Sequence, residues 1–136
     1  MSIYQRLTLN YIKHLKSWGL EAEDFPLPTK PDDFGQEHLS ISDDGKMSLI
    51  VTERGQVTKR RTTSSQDELL YWVFADKAFA RGWTYSKENR VEGEDFRRAA
   101  FSHALEEMKK LSNDWFKRFQ VEIEEILKAN PYNDNR

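Results

Sequence analysis

Three histidines, several carboxylate pairs and three groups of clustered charges are the side chains here with chemistry to offer; cysteine is absent. Metal binding or general-base catalysis would draw on His14, His38 and His103. They fall on different predicted elements with no ligand spacing among them, so each reads as a surface or core-edge residue. Without cysteine there are no disulfides, thiolate zinc sites or cysteine nucleophiles. No glycine-rich phosphate loop, Gly-x-Ser-x-Gly elbow or His-Glu-x-x-His pair occurs. The pairs Glu106-Glu107 and Glu124-Glu125 read as solvated helix faces. No catalytic residue, metal or cofactor is therefore expected.

The charge clusters ask for partners instead. Glu21, Glu23, Asp24, Asp32, Asp33 and Glu37 face only Lys30 within residues 21–37. They form either a solvated connecting loop or an acidic docking surface for a basic partner. Lys59, Arg60 and Arg61 fall on one weakly apolar strand. Basic residues there either discourage edge-to-edge pairing or engage nucleic acid, and no aromatic platform accompanies them.

Arg97 and Arg98 open a helix within EGEDFRRAAF, residues 92–101. At about 100° per residue, with Phe96 at zero, Arg97 lies near 100°, inside the arc of Ala100, Ala104 and Met108. Asp76 lies in a second, nearly all-apolar helix. A buried charge needs a hydrogen-bonded partner, and a guanidinium fits a carboxylate well. Arg97 or Arg98 is thus expected to pair with Asp76 between the two helices. The competing enzymatic reading would need Asp76, Arg97 and Glu88 in one open cleft.

The elements that must position these residues follow from patterning. Ile3, Leu7, Tyr11, Leu15 and Trp18 repeat at helical spacing, with Gly19 and Leu20 suited to close that helix. The proline-containing acidic loop 21–37 follows. Asp44-Gly45 and Arg54-Gly55 are hairpin turns joining three strands: residues around Leu39–Ile41, Met47–Val51, and Gln56–Thr62. Ser65 with Glu68 makes a capping box for the second helix, which Gly82 is expected to end. A third helix is expected from about Gly93 to Leu111, and a fourth from Ser112 or Asn113 to Asn130-Pro131. Residues 131–136 read as a polar tail. The expected fold is α+β, with an N-terminal helix, a three-stranded antiparallel meander and three packed helices, forming a single domain over residues 1–136.

Composition agrees with a folded, unanchored chain. Aromatic residues make up 12% and charged residues 32%, yet the formal net charge is only −2, which gives no general attraction to nucleic acid or anionic membranes. No stretch reaches the length of a membrane span and the N-terminus lacks a signal-peptide core, so a cytoplasmic location is expected.

ERG in the second hairpin, DELLYWVFADKAF, YSKENRVEGEDFRRAAF and EIEEILKANPYND together resemble the immunity protein 63 family of bacterial polymorphic toxin systems. The resemblance covers roughly residues 39–134 and is most specific between Asp67 and Phe101. It implies a cytoplasmic antidote that binds one cognate toxin domain and needs neither cofactor nor catalytic residue. It transfers no toxin-contact residue to these positions. Asp76, Asn89, Arg90, Asp95, Arg97 and Arg98 belong to its signature, as scaffold or as interface. The alternative is a small regulatory or nucleic-acid-associated protein acting through Lys59–Arg61.

Overall fold

A computed structural model describes residues 1–135. In chain order its elements are α1 (Ile3–Ser17), β1 (Phe34–Ile41), β2 (Met47–Glu53), β3 (Gln56–Thr63), α2 (Gln66–Glu88), α3 (Phe96–Leu111) and α4 (Asn113–Ala129). The α+β order expected from the sequence is present. The chain divides into two compact units, Met1–Trp72 and Val73–Arg136, with the division falling inside α2.

In the first unit, α1 begins with a capping box, Ser2 and Gln5 each satisfying the other's backbone. It buries Leu7, Tyr11 and Leu15. At its end Gly19 takes a φ of 74°, and Leu20 N–H donates to the Leu15 carbonyl at 3.0 Å. A left-handed glycine thus closes the helix as its position predicts. Burial pushes the Tyr11 hydroxyl up to about 12, and the same hydroxyl donates to the Phe25 carbonyl at 2.7 Å.

The sheet is an antiparallel meander in the order β1-β2-β3. Both residues of the Arg54-Gly55 turn have positive φ, as a two-residue hairpin turn with the right twist requires. β2 is central, so both of its edges are paired, and it also buries residues on both faces: Met47 and Leu49 on one, Ser48 and Ile50 on the other. β1 starts at Phe34, five residues before the predicted Leu39. Asp32 prepares that earlier start, its carboxylate accepting from the Phe34 and Gln36 amides at 2.9 and 3.2 Å.

In the second unit, α2 runs through Gly82 rather than ending there. A Cβ at Gly82 would lie 2.1 Å from the Ala100 carbonyl oxygen and 3.2 Å from Ala104 Cβ. At this glycine α3 passes too close to α2 to admit a side chain, so its missing Cβ serves packing and not termination. Asp95, rather than Gly93, caps α3, and Ser112 both ends α3 and caps α4. Phe79 joins the helices, its ring 4.6 Å from Phe119 and 5.9 Å from Phe101.

Candidate functional site

Arg97 and Arg98 are fastened at the start of α3, but not to the expected acid. Asp95 accepts from Arg97 Nη2 at 2.9 Å and from the Arg97 amide at 2.9 Å. Arg97 also donates to the Asn130 and Pro131 carbonyls at 2.8 and 2.9 Å. Arg98 grips Asp134 through Nε and Nη2, both at 2.9 Å. The backbone returns the contact: Asn133 N–H donates to Asp95, and Asp95 N–H to Asp134, each at 2.8 Å. The Tyr132 ring sits 4.2 Å from the Arg98 guanidinium and 5.5 Å from that of Arg97.

Residues 130–134 are therefore a docked strap rather than a free polar tail. Hydrogen bonds from Arg97 hold the Asp95 carboxyl well below its usual range, and those from Arg98 lower Asp134 likewise. Beside the strap opens a cleft of about 610 Å³ lined by Arg90, Glu94, Phe96, Arg97 and Tyr132, among others.

The arginines expected to pair with Asp76 are engaged by other acids, Arg97 by Asp95 and Arg98 by Asp134, and Asp76 itself is exposed. α2 has a solvent face after all, with Asp76, Ala80, Trp83 and Lys87 exposed along it. An exposed carboxylate carries no desolvation penalty that demands an arginine. Nor do the three residues of the enzymatic reading share a cleft. Glu88 lines one of about 360 Å³ with Arg81, Thr84, Tyr85 and His103, while Arg97 lines the larger one.

That smaller cleft borders a charge cluster the sequence reading passed over. Glu107, expected on a solvated face, is 2% exposed. His103 Nε2 lies 3.2 Å from its carboxylate, with Arg81 Nε and Lys110 Nζ each at 3.4 Å. Tyr85 stacks flat on His103, ring centres 4.3 Å apart. The same helical wheel could have found Glu107, which falls at about 20°, inside the apolar arc. A buried carboxylate is tolerable only in such company, and here Arg81, Lys110 and the His103 imidazole supply it.

The two charge clusters of the first unit fare differently from one another. Of the six loop acids, Asp32 organises the entrance to β1, and Glu37 lies within β1, bonded to Arg61 at 2.9 Å. Glu21, Glu23, Asp24 and Asp33 are exposed, and among the described residues no cation engages them. On β3, Arg61 also stacks over Trp72 at 5.3 Å. Lys59 and Arg60 are exposed, with no carboxylate beside them among the described residues.

Among the described residues no group of three His, Asp or Glu side chains is placed to hold a metal, and no helix is long and apolar enough to cross a membrane.

A family model described as Immunity protein 63 matches residues 43–125. The matched stretch takes in β2, β3, α2, α3 and most of α4, and leaves α1, the acidic loop and β1 outside it. No curated protein and no solved structure matches the chain.

Proposed function

The chain belongs to the immunity protein 63 family, and from that membership we propose that it binds and neutralises one cognate toxin domain in the cytoplasm of the cell that makes both. The whole chain acts as one binding module, without a cofactor and without turning over a substrate. Four acids of the loop, Glu21, Glu23, Asp24 and Asp33, form the contact with a basic face of the toxin. The observation that carries this assignment is their position. They lie outside the residues matched by the family model, on exposed backbone, and no internal cation consumes their charge.

The physical argument is one of specificity. Members that neutralise different toxins share a scaffold, so discrimination must come from surface that the scaffold does not dictate. Unpaired carboxylates on a loop also accelerate encounter with a cationic partner, at a rate that falls with salt. Asp32 and Glu37, tied to β1 and Arg61, shape the loop rather than meet the partner.

The test is co-expression with the toxin domain encoded beside this chain. Tight association and survival of the producing cells are expected. Glu21→Gln, Glu23→Gln, Asp24→Asn and Asp33→Asn together should weaken association at least about tenfold, mainly through the on-rate at low salt. Asparagine keeps the left-handed backbone at position 33, where φ is 58°. A toxin that is neither bound nor neutralised would end the reading.

A further inference from the structure

The outer edge of β3 is the open edge of the sheet. The edge of β1 is partly covered, because Leu39 N–H donates to the Pro28 carbonyl at 2.7 Å. That one bond also fixes which β3 groups face outward. In a strand, the N–H and C=O of one residue point to one side, and the side alternates along the chain. An outward Leu39 makes Leu39 and Leu49 a pair without mutual hydrogen bonds. The backbone of Leu49 then turns toward β3 and bonds Arg61, its registered partner. The neighbours of Arg61, which are Arg60 and Thr62, are left with outward N–H and C=O groups. Pairing is regular from Met47 to Val51, so the alternation extends to Lys59 without a break. No other backbone group among the described residues takes the outward groups.

Side chains alternate across the sheet in the same way. Lys59, opposite Val51, stands on one face, and Arg60, opposite Ile50, on the other. Both are exposed with no carboxylate beside them, and Val57 is 53% exposed on the same strand. Arg61 is already committed to Glu37.

We propose that this edge receives an extended acidic segment of the toxin as a fourth strand, bonded to the backbone of Arg60 and Thr62. The incoming strand carries acids at two adjacent positions, one reaching Lys59 on one face and the other Arg60 on the opposite face. The toxin as source of the strand rests on the function proposed above. Charge selects the occupant. The β3 of a second copy would set Lys59 and Arg60 against like charges, which cross-strand pairing does not tolerate. A nucleic-acid strand would want aromatic side chains to stack on, and the exposed neighbours here are Val57, Thr58 and Thr62.

The test uses the full chain and a synthetic valine-threonine peptide of about ten residues with a central Glu-Asp step. Binding should slow amide exchange at Arg60 and Thr62 above the rest of the protein. Lys59→Glu with Arg60→Glu should lower affinity at least about tenfold, and so should moving the two acids to alternate positions of the peptide. Thr62→Pro removes an outward N–H, together with the hydroxyl that bonds Ser48 at 2.8 Å, and should abolish binding; the charge-reversed variant covers the case in which that change perturbs the strand. The proposal falls if the acidic peptide does not bind, if a lysine-bearing peptide protects the same amides equally, or if a short single-stranded RNA occupies the edge more tightly. The charge-reversed protein is also tested against the toxin. Unchanged toxin association would overturn this inference and leave the immunity reading standing. Peptide binding beside a toxin that no form of the protein binds would overturn the immunity reading instead.

Discussion

Adjacent basic residues occur twice in this chain and meet opposite fates. At the start of α3, Arg97 and Arg98 are consumed: two acids, two backbone carbonyls and one aromatic ring take up their donors and their charge. On β3, only Arg61 is treated that way, by Glu37 and Trp72, while Lys59 and Arg60 face water. Equal charge density therefore does different jobs. Where the fold supplies the counter-charge, the cluster fastens chain to chain; where it does not, the cluster remains available to a partner.

The largest effect should come from breaking the fastened side. Arg97→Ala removes donors to Asp95, Asn130 and Pro131 at once and is expected to cost about 2 kcal/mol in thermal or denaturant unfolding. Arg97→Lys should recover only part of this, because an ammonium cannot span the carboxylate and both carbonyls with a fixed fork. A loss within about 0.5 kcal/mol would mean that the strap is dispensable.

A smaller effect is expected from acid. Asp95 and Asp134 are both held below their ordinary value of 3.8 in the folded chain. The unfolded state then binds more protons at low pH, so the stability they contribute is complete above about pH 4 and is lost as pH falls toward their folded values. Protection of the Asn133 and Asp95 amides, whose N–H groups donate to these carboxylates, should be lower at pH 3 than at pH 6 once each rate is divided by the intrinsic exchange rate at that pH. Asp134→Asn should flatten that dependence. An equal acid response in the variant would assign it to other groups.

The smallest effect sharpens the contrast from the other side. Lys59→Ala and Arg60→Ala should change unfolding free energy by no more than about 0.5 kcal/mol each, since both side chains are exposed and neither has an ion-pair partner among the described residues. A cost near that of Arg97→Ala would place β3 among the fastened regions and remove the reason to treat its edge as a docking surface.

Much of the frame is legible in the residues. The stripe of α1, its glycine closure, the two hairpin turns and the Ser112 cap all depend on side chains within a few positions of one another. Helical spacing also places Arg97 on the inner side of α3, where it does sit close to protein rather than open to water. The same arithmetic goes wrong at Asp76, because an alanine- and aromatic-rich helix looks apolar all round even when one face meets solvent. It is equally misleading at Gly82, whose meaning depends on another helix passing over it. Glu107 lay within reach of the wheel, but Arg81 on α2 and His103 and Lys110 on α3 were needed to explain it.

Local order was thus largely written in the sequence by itself: which segments coil, which pair, where the hairpins turn, and that Arg97 would be held, though not the start of β1 or the end of α2. Only the tertiary structure decided what holds it, that residues 130–134 fold back to supply Asp134 and two carbonyls, and that Lys59 and Arg60 go unanswered. The reason is the range of the forces. Caps, turns and periodic stripes join residues a few positions apart, whereas a hydrogen-bonded ion pair acts over about 3 Å and can join any two positions that folding brings together.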